Sequence, residues 1–343
     1  MQQIWIPKTG KPNVLDVREA ADVHPASGEV RIDVRASGIN FADLMARMGL
    51  YPDAPPLPTV VGYEVAGVVD AVGPGVDESR IGERVLSLTR FGGYSSQVCV
   101  PDAQAVRIPD DVDDVHAASI PVTGLTAWMM IEVMGRVREG DRVLVHSAGG
   151  GVGLMAIDLL KRRGATAIGT ASSRKHAFLK ERGYDQLIDY TQEDFHRVLQ
   201  HDEGLDLILD AVGADSWKKG LKLLRAGGRL VVFGMSANAT SSSRKLSSVV
   251  KSLSQVPWLQ MNPISLMNHN VGIMGVNMGH LWHEAERVTG WLHQLLDCVT
   301  AGEVRPLVHK TFPFSRAADA HQCIHDRENI GKVILVPDAV YDG

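Results

Sequence analysis

The stretch "VLVHSAGGGVGLMAI" (residues 143–157) decides the fold of this chain. An apolar run typical of a buried strand leads into a glycine-rich turn, and apolar residues at helical spacing follow. Gly150 and Gly153 carry no side chain where a pyrophosphate would approach the backbone and where helix meets strand. Ala148 replaces the first glycine of the GxGxxG pattern. The segment predicts a dinucleotide site at a helix N-terminus, and the alternative is a tight structural turn in any doubly wound sheet.

The segments around this turn predict two domains with different architectures. From about residue 123, the apolar strands "ATAIGT", "LDLILD" and "RLVVFG" alternate with helix-length amphipathic segments, which is typical of a parallel sheet covered by helices on both faces. Residues 28–109 are instead short strands separated by glycine and proline turns. In a chain of 343 residues we therefore predict a β-rich domain over 1–122, a doubly wound α/β domain over 123–277 and a return to the first domain over 278–343.

The end of the second parallel strand indicates which dinucleotide is bound. A site for NADH would place Asp or Glu there to hold the ribose 2′-hydroxyl. This chain has "ASSRK" instead, with the hydroxyl of Ser172 and the cations of Arg174 and Lys175. Cations and donors suit a 2′-phosphate, so the pattern favours NADPH. The alternative is that Arg174 and Lys175 form the solvated first turn of the next helix.

Composition excludes several classes of protein. The net charge of −5 and the pI near 6.2 offer no basic face, so nucleic-acid binding is not expected. Cys99, Cys298 and Cys323 are odd in number and far apart, which favours a reduced, cytoplasmic protein. The sequence shows neither a secretory signal at its start nor an apolar run long enough to span a membrane.

The motifs together resemble the medium-chain dehydrogenase/reductase superfamily over nearly the whole chain. The segments that carry the resemblance are "SGINFADLMARMGLY", "VGYEVAGVVDAVGPGV", "HSAGGGVG", "GTASSRKH" and "NIGKVILVP". Within the superfamily the chain is similar to the zinc-free quinone oxidoreductases, and most of all to the vesicle-amine-transport-protein branch. The resemblance implies an α/β fold in which a GroES-like, β-rich catalytic domain carries an inserted Rossmann domain. It also implies a homodimer.

The metal-binding members of this superfamily hold a catalytic zinc with Cys, His and Cys. The matching positions here are Asn40, Tyr63 and Val122, and an amide, a phenol and an isopropyl group do not form a zinc site. We therefore predict catalysis without metal. Two histidine pairs at helical spacing lack a third ligand and are predicted to be solvated helix faces: His280 with His283, and His321 with His325.

Without zinc, neutral donors must polarise the acceptor oxygen. The candidates are the amide of Asn40 and the phenols of Tyr51 and Tyr63. Tyr63 equally suits packing, and Tyr51 equally suits anchoring the proline-rich loop that follows it. Glu64 lies in an apolar run, so we expect it to pair with a buried Arg or with backbone donors.

The resemblance implies further cofactor contacts. It places Tyr190 near the adenosine phosphate and a late contact to the cofactor at Arg327 and Asn329. The nicotinamide half is lined by Thr126, Phe233, Gly234, Val276 and Asn277. With the residues of the phosphate turn and of the second strand end, the predicted cofactor-binding set is Thr126, Gly150, Gly151, Val152, Gly153, Ser172, Lys175, Tyr190, Phe233, Gly234, Val276, Asn277, Arg327 and Asn329.

The expected function is zinc-independent, NADPH-dependent reduction of a small lipophilic acceptor. Weak neutral donors suit an acceptor that is already activated, such as a quinone or an α,β-unsaturated carbonyl. Two alternatives stay open: an enoyl-thioester reductase of a biosynthetic pathway, and an NADPH- or lipid-binding protein with little turnover. Residues 244–271 carry a large apolar load that suits core or dimer packing, or a lid over the substrate.

Overall fold

The computed structural model describes residues 1–236, 258 and 261–341. The chain forms two compact units: the first is Met1–Leu125, Met278–Gly302 and Pro306–Gly343, and the second is Thr126–Asn277 and Glu303–Arg305. The first unit thus extends three residues past the predicted boundary at 122. The short segment Glu303–Arg305 joins the second unit because the buried carboxylate of Asp158 accepts the Arg305 backbone N–H at 2.8 Å.

The strands and helices of the described residues agree with the two architectures predicted from the sequence. The strands are β1 (Gln2–Ile6), β2 (Asp16–Glu19), β3 (Glu29–Gly38), β4 (Thr59–Val60), β5 (Glu64–Val72), β6 (Arg84–Leu88), β7 (Gln97–Pro101), β8 (Val106–Arg107), β9 (Arg142–Val145), β10 (Thr166–Ala171), β11 (Gln186–Asp189), β12 (Leu205–Asp210), β13 (Leu224–Val232), β14 (Gly272–Gly275), β15 (Val308–Pro313) and β16 (Lys332–Val336). The α-helices are α1 (Phe41–Met48), α2 (Asp114–Ala117), α3 (Pro121–Trp128), α4 (Gly151–Arg162), α5 (His176–Arg182), α6 (Phe195–Leu199), α7 (Asp215–Leu221), α8 (Pro263–His269), α9 (Ala285–Thr300) and α10 (Ala317–His325).

The first unit is built on a seven-stranded sheet. Its order is β15-β16-β3-β5-β6-β8, with β7 paired to β3, and a separate three-stranded sheet has the order β2-β1-β4. On β3 the side chains of Val30, Ile32 and Val34 are at most 1% exposed, whereas the residues between them are half-buried. This is the period-two pattern of a half-buried strand, which the apolar and charged residues of "EVRIDVRAS" show in the sequence. The segment "NFADLMARMG", which has helical spacing, forms α1, and Gly49 after its last residue has a positive φ of 70°.

The second unit is a six-stranded sheet of order β11-β10-β9-β12-β13-β14, and every neighbouring pair is parallel. Strands β10 and β11 lie on one side of β9, and β12, β13 and β14 lie on the other. The strand order therefore reverses between β9 and β12. In open parallel sheets this reversal is where ligands bind, outside the carboxyl ends of the strands. The predicted fold class, a β-rich domain with an inserted doubly wound sheet, is confirmed.

Two helices differ in extent from their sequence patterns. The amphipathic segment 216–228 suggests one helix, but α7 ends at Leu221 because Leu224 already pairs with Leu205 on β12. After residue 278, where the sequence suggests one long helix, two 3₁₀ turns come first and α9 begins at Ala285. The serine-rich segment after Ser236, whose composition predicts a surface loop, lies outside the described residues, as do 244–257, 259 and 260 of the apolar segment 244–271. In the part of the chain that the structure describes, no helix combines the length and the apolar composition that crossing a bilayer requires.

Candidate active site

The buried carboxylate of Glu64 contacts two of the three positions that the resemblance matches to zinc ligands, Asn40 and Val122. Glu64 is 0% exposed at the start of β5. Its Oε1 lies 2.5 Å from Lys332 Nζ and accepts the Asn40 amide at 2.9 Å, and its Oε2 accepts the Val122 backbone N–H at 2.7 Å. The expectation of a backbone donor is confirmed. The cation beside Glu64 is not the arginine of the other alternative but Lys332, at the start of β16.

Both polar atoms of the Asn40 side chain, Oδ1 and Nδ2, form hydrogen bonds within this network. Its Oδ1 accepts from Lys332 Nζ at 2.5 Å. Its Nδ2 donates to Glu64 and, at 3.4 Å, to the Gly38 carbonyl. Both amide hydrogens are thus directed at protein acceptors, so the arrangement favours Asn40 as a residue that orients Glu64 and Lys332. Of the three predicted donors, the phenols of Tyr51 and Tyr63 remain to be placed.

The two candidate tyrosines lie side by side. The rings of Tyr51 and Tyr63 meet edge to face with centroids 6.2 Å apart, and Phe91 packs on Tyr63 at 5.2 Å. Tyr63 is only 7% exposed. Burial, followed by the charge of Asp43, raises its pKa well above the ordinary value of a phenol, so it keeps its proton at neutral pH. The neighbouring Tyr51 also contributes to this rise, yet no atom of the described residues meets hydrogen-bond geometry with the Tyr63 hydroxyl.

Asp43 fixes the backbone on both sides of this cluster. On α1 its carboxylate accepts the backbone N–H of Asn40 at 2.7 Å and that of Gly62 at 3.0 Å. One buried side chain thereby sets the position of Asn40 and of the residue that precedes Tyr63. Burial raises the pKa of Asp43 to about 7. Sequence reasoning named neither Asp43 nor Lys332; the available signals were the acid three residues after Asn40 and a lysine opening an otherwise apolar strand.

One predicted histidine pair is not a solvated face. His321 on α10 is 0% exposed, and its Nε2 lies 3.1 Å from the Tyr94 hydroxyl. Burial, with the nearby charge of Arg47, lowers the pKa of His321 well below its ordinary value. His325, one turn later, contacts Arg47 Nη2. His280 is exposed and pairs with an aspartate, Asp53, at 2.7 Å. Within the described residues no group of three or more His, Cys, Asp or Glu side chains is arranged to hold a metal ion.

In the second unit the phosphate turn has the predicted form. Gly150 is the N-cap of α4, and Gly151, Val152 and Gly153 form the first turn of this helix. A Cβ at Gly153 would lie 2.4 Å from the Ala148 carbonyl oxygen, so a larger residue would separate helix from turn. A Cβ at Gly149 would meet Lys175 Cδ at 2.8 Å. The stem of Lys175 therefore lies across the glycine turn, and this side chain is only 8% exposed.

The structure brings Ser172 and Tyr190 to the same edge of the sheet. Ala171, the last residue of β10, is the partner of Asp189, the last residue of β11, and Ser172 and Tyr190 follow them. The Asp189 carboxylate accepts from the hydroxyl and the backbone N–H of Thr191, and these bonds, the hydroxyl's first, lower the pKa of Asp189 to about 2. This acid is thus engaged at the turn after its own strand.

The nicotinamide-side candidates follow the strands on the other side of β9. Phe233 and Gly234 come directly after β13, and Phe233 N–H donates to the Asp210 carbonyl at 3.0 Å. Val276 and Asn277 come directly after β14, and Val276 is buried. These residues and those of the phosphate turn share the carboxyl edge of one parallel sheet. The remaining candidates are placed elsewhere: Thr126 on α3, and Arg327 and Asn329 in the first unit.

Comparison with known proteins agrees with this geometry. A family model described as "Alcohol dehydrogenase GroES-like domain" matches residues 26–110, and one described as "Zinc-binding dehydrogenase" matches residues 182–335. The chain is 38% identical over 328 residues to the human "Synaptic vesicle membrane protein VAT-1 homolog", covering 94% of this chain and 82% of that protein. The chain belongs to the medium-chain dehydrogenase/reductase superfamily.

Other members of the superfamily are named as enzymes. The chain is 32% identical to the "2-haloacrylate reductase" of a Burkholderia species, covering 97% of this chain and 98% of that protein. The crystal structure of Escherichia coli quinone oxidoreductase complexed with NADPH superposes with a TM-score of 0.83 at 28% identity, covering 98% of this chain and all of that one. The resemblance stated from the sequence is confirmed.

Proposed function

We propose that this protein is a zinc-independent, NADPH-dependent reductase of a quinone or of an activated α,β-unsaturated carbonyl. That it is an oxidoreductase follows from its superfamily relatives. The observation that carries the finer proposal is the Glu64–Lys332–Asn40 network. It occupies two of the three zinc-ligand positions with hydrogen-bonded protein groups and leaves a protonated phenol, Tyr63, at the third.

NADPH is the cofactor that the second unit fits. The turn from Gly150 to Gly153 presents the N-terminus of α4, whose N–H groups suit a pyrophosphate. Lys175 and Ser172 follow β10, where a 2′-phosphate would lie, and Tyr190 follows the neighbouring strand. Related structures hold NADPH. We propose that these residues bind the 2′-phosphate, with Lys175 supplying the principal positive charge.

The residues of the first unit suit an acceptor that is already activated. When bound, NADPH supplies the hydride. Lys332 neutralises Glu64 within their network, so this carboxylate does not oppose negative charge building on the acceptor oxygen. Tyr63 and Tyr51 can donate hydrogen bonds to that oxygen. Neutral phenols polarise a carbonyl less than a metal ion does, which favours a quinone or an enone over a simple ketone or alcohol.

A turnover assay tests this proposal. Purified protein is incubated with NADPH and, in separate reactions, a naphthoquinone, an alkenal, a 2-haloacrylate and an enoyl thioester, and loss of reduced cofactor is followed. We expect turnover with the quinone or the alkenal, unaffected by a chelator. Preference for the thioester would instead favour the biosynthetic enoyl reductase. Absence of turnover with all four, while NADPH binds, would refute the reductase proposal.

A binding protein with little turnover is the second candidate, and one observation favours it. Trp258, Ile264 and Met267 are 67%, 68% and 68% exposed, and a relative named as a vesicle membrane protein is 38% identical. Exposed apolar side chains of this size suit contact with a lipid surface. Sedimentation with vesicles of phosphatidylcholine, with and without anionic lipid, measures it, and Trp258→Ser is the matched variant.

Assembly and location complete the proposal. We propose a homodimer in which the edge strand β14 of each copy pairs with its partner, since β14 ends the described sheet. Light scattering coupled to size-exclusion chromatography measures the mass. A cytoplasmic location rests on the number and spacing of the cysteines, and cell fractionation tests it.

A further inference from the structure

Two buried polar atoms in the second unit, one on His146 and one on Asp210, face one another. His146 is 3% exposed and Asp210 is 0% exposed. His146 Nε2 lies 3.8 Å from Asp210 Oδ2. Among the described residues, neither of these two atoms has a hydrogen-bond partner. Leaving a buried polar group unsatisfied destabilises the folded chain, so two such atoms aimed at each other need a physical reason.

The positions of His146 and Asp210 in the sheet give a reason for this arrangement. His146 directly follows β9, Thr170 lies near the end of β10, and Asp210 ends β12. These three strands are neighbours in the sheet. His146 Nδ1 lies 3.0 Å from Thr170 Oγ1. A polar line thus runs from Thr170 through His146 to Asp210 across the point where the strand order reverses, directly below the phosphate turn.

The hydrogen bonds of Asp210 connect this line to a loop. Asp210 Oδ1 accepts the backbone N–H of Val212 at 2.7 Å and that of Gly213 at 3.0 Å. Gly213 has a φ of 88°, and a Cβ there would lie 3.2 Å from Met235. The orientation of one carboxylate therefore sets the turn 210–213, and this turn packs against the segment that follows β13.

The proton of His146 can be placed by elimination. Burial lowers the pKa of this histidine, so the ring is neutral and carries one hydrogen. If Nδ1 held it, the lone pair of Nε2 would face the oxygen of Asp210, which is repulsive. If Nε2 holds it, Nδ1 accepts the Thr170 hydroxyl and the Nε2–H dipole faces Oδ2.

We propose that His146 is a positioning residue for the nicotinamide half of the cofactor, acting through Asp210 on the turn 210–213. The inference rests on the proposed function, because it assumes that NADPH binds at this edge of the sheet. The adenosine half belongs on the β10 and β11 side, where Ser172, Lys175 and Tyr190 lie. The nicotinamide half then belongs on the β12 and β13 side, which is where Asp210 acts.

Binding of two ligands to the intact protein tests this inference. The probes are NADPH, which has both halves, and 2′,5′-ADP, which has only the adenosine half with its 2′-phosphate. For His146→Phe we expect the Kd of NADPH to rise about tenfold, because the Asp210 carboxylate that holds the turn 210–213 loses the polar side chain that faces it. The Kd of 2′,5′-ADP should change less than about twofold, since its proposed contacts lie on the other strands. His146→Gln, which restores an N–H donor, should recover part of the loss.

The outcomes separate the inference from the function on which it rests. If wild-type protein binds neither ligand, the proposed cofactor site fails. If wild type binds both and His146→Phe weakens both equally, or weakens neither, the positioning role is overturned. Circular dichroism checks that each variant is folded. Should His146→Phe not fold, Asp210→Asn gives the same split reading, because it removes the charge that faces Nε2 and keeps the size of the side chain.

Discussion

Replacing Lys332 by methionine removes the cation of the buried network and keeps most of the side-chain volume. Lys332 is 4% exposed and Glu64 is 0% exposed, so neither charge is screened by water. Removing one partner of a buried ion pair typically destabilises a protein by about 3–5 kcal/mol, because the other charge is left uncompensated. Glu64 keeps the Asn40 amide and the Val122 N–H as donors. We therefore expect Lys332→Met to lower the free energy of unfolding by about 3 kcal/mol, the lower end of that range.

Equilibrium urea unfolding at neutral pH and fixed protein concentration measures this loss. The double variant Lys332→Met, Glu64→Gln removes both charges, so it should be more stable than Lys332→Met alone, with a coupling free energy of about 2 kcal/mol. Arg107→Met is the matched control: its partner Asp110 is 3.3 Å away, but both side chains are mostly exposed. That change should stay within about 0.5 kcal/mol. Strictly additive single and double variants would refute the assignment of Lys332 as the counter-charge of Glu64.

Four further outcomes are expected. Tyr63→Phe should lower kcat by about 10²–10³-fold with near-normal NADPH binding, Tyr51→Phe being the paired variant, and unchanged steady-state kinetics would assign Tyr63 to packing. Lys175→Ala should weaken NADPH by about 1–3 kcal/mol and barely alter NADH, as calorimetry would show; equal affinity of the wild type for both cofactors contradicts the assignment. Elemental analysis of untagged protein should find no stoichiometric zinc, and finding it would overturn the metal-free proposal. Burial raises the folded-state pKa of Asp43 from 3.8 to about 7. The stability that this group contributes is therefore fully present below about pH 4 and falls as pH rises to about 7. Wild-type stability relative to Asp43→Asn should fall across that range, and a flat difference would contradict the assignment.

The sequence predicted those parts of the fold and site that depend on residues close together in the chain. Strand, glycine turn and helix follow one another within 143–157, and their periodicities of two and 3.6 residues are properties of neighbouring positions. The residue types at the three positions that the resemblance matches to zinc ligands are likewise visible one by one, at Asn40, Tyr63 and Val122. The Ser172–Lys175 pattern indicated NADPH for the same reason, since it directly follows its strand.

Only the tertiary structure decided which distant groups meet. The sequence indicated that Glu64 needs a buried partner, either an arginine or backbone donors. It could not identify Lys332, because this lysine reaches the cluster from β16 and lies 292 positions from Asn40, with which it also pairs. His321 has the helical spacing of a solvated pair, yet it is buried against Tyr94. Asn40 has the chemistry of a free donor, yet both its amide hydrogens are engaged. The physical reason is common to all three. Amino-acid type and spacing fix what a side chain can donate, accept or carry as charge, whereas the direction in which it does so depends on strands and helices that only the folded chain brings into contact.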